Sequence, residues 1–370
     1  MSLILALSAL PDPRCGNAQR HNLLDMLVIA LTASICGAES CVDIADFGRD
    51  REALLREFLD LPGGLPSHDT YSRLFRLLDP VAFAGCFSAF LDGLGEDGPG
   101  VVAIDGKTLR RSFDRAAARS PLHVVTAFAA EARMVIGQVA AGTKESEITA
   151  ARQLLGLLDL KGVLVTGDAL HCQGETARLI EEKGGAWLFT LKDNRPSQRA
   201  EVEAWFADPL NRPGSEHTTT DAEHGRIEVR RHRVSHDIAW LLSDRRYPHE
   251  ALMPGLATIA EVAATTTRDG RTTTTRRFYL SSARLDAASF ARAVRAHWAI
   301  ENSLHWVLDV GFDEDRARNR QDNGPENLAT LRKLTLNLLR RTRPDISVRR
   351  KRKRSGWSDD FARTVIGQMR

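Results

Sequence analysis

Val101-Val102-Ala103-Ile104-Asp105-Gly106-Lys107 and Gly162-Val163-Leu164-Val165-Thr166-Gly167-Asp168 decide how this chain is read. Each is a short apolar run that stops on an aspartate. Such a run fits a buried strand, and an acid at its end stays near solvent while its backbone is fixed. In open α/β sheets strand ends converge on one edge, where functional groups can meet, and that placement suits a metal ligand. Neither aspartate is specific alone, because strand-end aspartates also cap turns and helices.

Working outward, His123 to Phe128 and Arg133 to Val139 read as paired strands, Glu147 to Leu158 as a helix, and Ala186 to Thr190 as a further strand. Hairpin-like strands followed by helix-strand alternation predict a mixed α/β sheet. Upstream, about His21 to Asp79 reads as helical. Leu23, Leu24, Leu27, Ala30 and Leu31 recur at helical spacing, as do Ala53, Leu54, Leu55, Phe58 and Leu59. Pro62-Gly63-Gly64-Leu65-Pro66 is a turn by composition, and Ser67 stands at an N-cap position before His68 to Phe75. These helices suit a small DNA-binding bundle or a structural cap equally well. Asp92 to Gly100, rich in Gly and acid, marks a boundary.

The pattern changes after Asp193. Ile227 and Val229 alternate with charged residues, Ala239 to Leu242 is a short apolar run, and Arg271 to Leu280 is strongly β-prone. A β-rich insertion is expected here, before a helical C-terminal portion that starts near Asp286 and includes Leu328 to Leu339. No internal repeat is visible.

With 370 residues, 43% hydrophobic and 27% charged, the chain can fill one large core or two to three domains. The five cysteines are odd in number and show no paired spacing, which predicts reduced thiols in a cytosolic protein, neither a disulfide frame nor a Zn site. Leu3 to Leu10 lacks the basic lead of a signal peptide, and Met26 to Cys36 is too short to span a bilayer. A formal charge of +3, from 51 basic and 48 acidic residues, says little about partners. Its distribution says more: Arg349, Arg350, Lys351, Arg352, Lys353 and Arg354 are six consecutive positive charges, read either as a solvated tail or as a strip beside a polyanion.

A third acid, Glu301, lies in Arg295-Ala296-His297-Trp298-Ala299-Ile300-Glu301-Asn302-Ser303-Leu304-His305-Trp306. At helical spacing Trp298, Glu301 and His305 share a face, and His297 and Glu301 are an i,i+4 pair. Residue chemistry leaves an ordinary surface glutamate and a Zn site of His297, Glu301 and His305 both open, although the chain has no HExxH.

Longer motifs join these segments. They are Val102 to Arg110 with Ser112; Lys144 to Thr149; Val165 to Gln173; Leu191-Lys192-Asp193-Asn194; His224-Gly225-Arg226-Ile227-Glu228; and His297 to Asp315, continuing through Arg316, Arg318, Asn327, Leu328, Leu331, Arg332, Leu336 and Asn337. In this order, and with the helical region beginning His21-Asn22-Leu23-Leu24-Asp25, the chain closely resembles the ISAs1 family of bacterial insertion-sequence transposases, within the DDE, RNase H-like group, over about His21 to Arg340.

The resemblance implies a fold and a chemistry. It implies an α/β, RNase H-like mixed-sheet catalytic core at 96–192 and 286–340, a helical, DNA-binding N-terminal domain at 1–95, a β-rich insertion at 193–285 and a basic tail at 341–370. It makes Asp105, Asp168 and Glu301 the catalytic, metal-ligating acids, holding two Mg²⁺ ions, with Mn²⁺ able to substitute. Asp309, Asp313, Glu314 and Asp315 are then supports for helix packing or DNA-proximal structure. Lys192, Asn194, Arg226, Arg295, His297, His305 and the basic run 349–354 are candidates for DNA or phosphate contact. The implied partners are double-stranded insertion-element ends, target DNA and further copies of the chain in a DNA complex, in a cytoplasmic, nucleoid-associated protein without membrane contact. A catalytically inactive DNA-binding or regulatory descendant and a simple metal-dependent nuclease are the alternatives. Two departures stand out: Val294, His297 and Leu308 replace the Tyr, Arg and Lys of the wider IS4-like group, and Arg111 stands where many relatives have Gly, a change expected to crowd the turn after Asp105.

Overall fold

The computed structural model describes residues 2–93, 100–114, 118–143, 146–223, 226–242, 251 and 253–370. The motif residues Lys144, Glu145, His224 and Gly225, and most of the Asp92 to Gly100 boundary, lie outside the described residues.

The strands among them are β1 (Val101–Thr108), β2 (His123–Ala129), β3 (Met134–Ala140), β4 (Leu164–Gly167), β5 (Ala186–Leu191), β6 (Ser215–Glu223), β7 (Arg226–Ser235), β8 (Thr258–Arg268) and β9 (Arg271–Ser281). They form one sheet in the order β3-β2-β1-β4-β5-β9-β8-β7-β6. β1, β4 and β5 run parallel, pairing Val101 with Leu164 and Leu164 with Ala186, whereas β2-β3 and every pair from β5-β9 outward are antiparallel. The apolar runs are the buried strands, since Val102, Ala103, Ile104 and Val165 are fully covered. The result is the expected mixed α/β architecture: a helical N-terminal region and a central mixed sheet with the arrangement of an RNase H-like core plus insertions. The insertion extends the same sheet through β9.

The chain divides into two compact units. The first comprises Met1–Glu96, Gly106–Leu154 and Ile300–Arg370. Its helix Leu23–Ile35 starts at the Asn22 cap and is buried almost all round, as a core helix is. Ser67 caps His68–Leu77 as expected, accepting the Thr70 N–H. The long helix Gly324–Arg341 carries polar side chains into the interior, where several find partners. Asn337 accepts the Val135 N–H at 3.0 Å and donates to the Val135 carbonyl at 2.8 Å, closing the outer edge of β3. Lys333 donates to Thr126 on β2 and Gln138 on β3, and Asn327 caps the end of His68–Leu77 through the carbonyls of Phe75 and Leu78.

The basic C-terminal stretch is helical. Residues 348–357 and 359–366 form the helices Val348–Trp357 and Asp359–Ile366, and Lys351 and Arg352 are buried. Lys351 donates to the Leu339 and Thr342 carbonyls, ending the long helix, while Arg352 donates to Ser34 and Ala38. Cations at helix C-termini complement both the orphan carbonyls and the helix dipole.

The second unit comprises Asp97–Asp105 and Leu155–Ala299. Its core sets Val234, Ala260, Val262 and Tyr279 against Phe290 of the helix Ala287–Ala299. The β-rich insertion also holds a helix that the sequence reading missed, Pro196–Ala207, with Pro at its first turn and Val202, Trp205 and Phe206 buried. Ala239 to Leu242 is a turn segment, with no strand assigned to it. The five cysteines are free, as expected. Among the described residues no single helix is long and apolar enough to cross a membrane.

Candidate metal centre

Parallel pairing fixes the two aspartates. Ala103 on β1 is in register with Thr166 on β4, so Asp105 and Asp168 each stand two residues beyond that pair, at matching positions on neighbouring strands. Adjacent strands lie about 4.8 Å apart, which brings the ends of two such strands together. Asp168 is extended, and its Oδ1 accepts the Leu170 N–H at 2.8 Å, capping the turn Ala169–His171. Asn194, just past β5, donates to the Ala169 carbonyl at 2.6 Å and braces that turn.

Beyond Asp105, β1 passes over a buried pair. His123 Nε2 and Glu147 Oε2 are 2.6 Å apart, and His123 Nδ1 lies 2.8 Å from the Thr108 hydroxyl. Gly106 makes this possible, because a Cβ there would stand 2.3 Å from His123 Nε2 and 2.5 Å from the Glu147 carboxyl carbon. Two residues after Asp105, the Lys107 ammonium bonds Asp309 and lies 3.1 Å from Glu314 Oε2. Arg111 does not crowd this region: its side chain is exposed, its φ is not positive, and its carbonyl accepts from Arg320.

Glu301 sits in a π turn. The helix Ala287–Ala299 runs into π-helical Ile300–His305 before α-helix resumes at Trp306–Phe312. Such turns are rare and recur at functional sites. Here Glu301 Oε2 lies 3.2 Å from His305 Nδ1. Asp105, Glu301 and His305 form a group of metal-ligand type, their ligand atoms within 4.8 Å of one another. His305 is buried; burial, then the Lys107 charge, pushes its pKa down, so the ring offers a neutral nitrogen. Two carboxylates and an imidazole can hold one divalent ion, and oxygen-rich sets suit Mg²⁺ or Mn²⁺. Asp168 is not in this group, and neither is His297 of the open Zn reading. His297 Nδ1 lies 3.2 Å from the Thr166 hydroxyl, and burial lowers its pKa to about 4, with Asp168 pulling the other way.

Of the residues expected to touch DNA, Lys192 and Asn194 are exposed near the end of β5, although Asn194 already braces the Asp168 turn. Arg226 pairs with Glu228 at 3.8 Å and Arg295 with Asp221 at 2.6 Å. Neutral His297 and His305 do not supply positive charge at neutral pH. Burial of Lys351 and Arg352 removes them from any external contact. Arg349, Arg350, Lys353 and Arg354 are exposed at i, i+1, i+4 and i+5 of one helix, hence on one face, with Arg354 over the Phe361 ring at 4.4 Å. The sequence reading missed Lys107, His123 and Glu147; Lys107 and Glu147 lay inside the quoted motifs, and His123 was read only as the start of a strand.

Comparison with known proteins gives concordant matches. Residues 4–91 match a family model described as DDE_Tnp_1-associated, and residues 96–338 match the Transposase DDE domain. YhhI of Escherichia coli K12, named as an H repeat-associated transposase, is 34% identical over 97% of this chain and 96% of its own length. YncI of Escherichia coli O157:H7, also named as a transposase, is 37% identical over 99% of this chain and 94% of its own. YbfL of Escherichia coli K12 is 34% identical over the same shares as YhhI.

Proposed function

Because the chain belongs to the DDE-domain transposases, we propose that it cuts and joins DNA at the ends of an insertion element, as a member of the ISAs1 branch. The observation that carries this reading is the matched placement of Asp105 and Asp168 on parallel β1 and β4, with Glu301 in ligand reach of Asp105.

The donor set fits divalent ions of the Mg²⁺ or Mn²⁺ type. Asp105, Asp168 and Glu301 would hold a pair of them. When bound, such a pair activates water or a DNA 3′-hydroxyl and stabilises the leaving oxygen of an in-line displacement. The chain's own residues prepare that site. The Leu170 N–H orients Asp168 while leaving most of a carboxylate's lone pairs available. His305 orients Glu301 and adds a neutral donor. The exposed face of Arg349, Arg350, Lys353 and Arg354, which carries no ion pair among the described residues, is the best supported phosphate contact. Lys192, Arg226 and Arg295 are secondary candidates, and the N-terminal helices a DNA-binding region.

The test uses DNA carrying the element ends, with Mg²⁺ and the full chain. Asp105→Ala, Asp168→Ala and Glu301→Ala should each abolish cleavage, and unchanged cleavage in all three would sink the site. Precleaved ends with a target plasmid should yield joined product; a simple nuclease yields none. Specific end binding without metal-dependent cleavage would point to a DNA-binding regulator instead.

A further inference from the structure

Glu301 and His305 come from a helical segment, Asp105 from a strand, and their ligand atoms meet within 4.8 Å only if that segment is held against β1. The π turn is itself tied to the long helix, with Arg340 donating to the Ser303 carbonyl, while Glu301 is largely exposed, its side chain 60% accessible. A tether to β1 lies one turn further on. Lys107 follows Asp105 by two residues, so the two side chains share a face of β1. Its ammonium bonds Asp309, one turn after His305, and lies 3.1 Å from Glu314 in the turn Glu314–Arg316.

We propose that Lys107 is the positioning residue of the metal centre, its bridge to Asp309 and Glu314 holding Glu301 and His305 in register with Asp105. The idea rests on the metal reading above. Its effect passes through the helix Trp306–Phe312, which carries Asp309.

The charges support this arrangement. Glu314 is fully buried, and Lys107, Arg332 and Lys333 together hold its carboxyl below the usual range despite burial. Lys107 is the cation that faces both acids, bonding Asp309 and Glu314. A lysine reaching two acids on separate turns fixes both the height and the rotation of the segment, which one contact leaves open. Lys107→Met roughly keeps the volume and removes the tether.

The test titrates the full chain with Mn²⁺ alone, followed by electron paramagnetic resonance, next to circular dichroism. Asp105→Asn should abolish tight Mn²⁺ binding; if the wild type binds none, or this variant binds as the wild type does, the metal reading itself fails. Given that control, Lys107→Met should weaken Mn²⁺ binding by about 10- to 100-fold, the range typical of groups that orient metal ligands, with Lys107→Arg recovering most of it. Equal affinity in Lys107→Met and wild type overturns the positioning role, as does weaker binding that Lys107→Arg fails to rescue. Should Lys107→Met not fold, Asp309→Asn breaks the tether at its more exposed end and leaves Glu314 paired. It should still weaken Mn²⁺ binding severalfold, and no change there overturns the proposal equally.

Discussion

Two parts of one sheet obey different rules. β1 and β4 pair in parallel with their apolar residues buried and end at Asp105 and Asp168. β8 and β9 pair over eleven residues each, yet the half nearest their turn is polar and largely exposed, Thr265 to Arg268 against Arg271 to Thr274. There the side chains mostly satisfy one another, with Thr265 and Thr274 hydroxyls 3.2 Å apart and Thr267 and Thr272 at 3.0 Å. Where packing covers both faces, a strand end is immobile and its acid has a defined position. Where one pair of strands stands on its own hydrogen bonds, side chains are interchangeable as long as they favour extended backbone.

The largest effect should separate the two parts by activity. Asp168→Asn, an isosteric change at the parallel edge, should lower Mg²⁺-dependent cleavage by about 10³-fold or more, since a metal contributes several kcal/mol to such a transition state. Thr266→Val together with Thr273→Val, a pair across β8 and β9, should leave the cleavage rate unchanged. A comparable drop in both would erase the distinction.

Stability should separate them next. Gly106→Ala drives a Cβ into the buried His123-Glu147 pair and should cost about 1–3 kcal/mol, as overpacking usually does. Gly270, in the β8-β9 turn at φ +73°, has open space around it, so Gly270→Ala meets only the left-handed backbone penalty of about 1–2 kcal/mol. Urea midpoints of the two variants give the order, and a larger shift at Gly270 would contradict it.

Acidity sharpens the comparison further. His297 sits against Thr166 of β4 with its pKa lowered from 6.5 to about 4, mainly by burial. Between those values the unfolded chain binds a proton that the folded chain resists, so this contribution to stability is intact above pH 6.5 and is lost as pH falls towards 4. Thermal midpoints measured from about pH 7 to about pH 4.5 should therefore fall more steeply in the wild type than in His297→Gln. Parallel slopes would mean that the ring titrates normally.

How much of this was legible in the sequence follows from range. The apolar runs before Asp105 and Asp168, the β2-β3 hairpin and the Ser67 cap are local patterns, and the structure contains each of them. Residue spacing could not select Glu301; family resemblance did, and the π turn that carries it has no signature in a pattern of 3.6-residue periodicity. Pro196–Ala207 went unnoticed because its apolar residues cluster at Val202, Trp205 and Phe206 with charged neighbours between. The partners of Asn337 and Lys333 are roughly two hundred residues away in sequence, as Val135 and Thr126 show, and no local window contains them.

The basic run at 349–354 carries that lesson into the smallest effect expected. Composition treats its six charges alike, but helical geometry divides them: Lys351 and Arg352 face inward onto carbonyls, and Arg349, Arg350, Lys353 and Arg354 face solvent. Arg350→Gln with Lys353→Gln should leave the thermal midpoint nearly unchanged and lower the slope of log affinity for duplex DNA against log salt by up to about 2, one for each phosphate no longer neutralised. Lys351→Gln should do the reverse, lowering stability by leaving the Leu339 and Thr342 carbonyls without their ammonium partner while preserving the salt slope. If the outward pair left the slope untouched, this face would be a solvated surface, and the chain's hold on DNA phosphates would have to be sought at Lys192, Arg226 and Arg295.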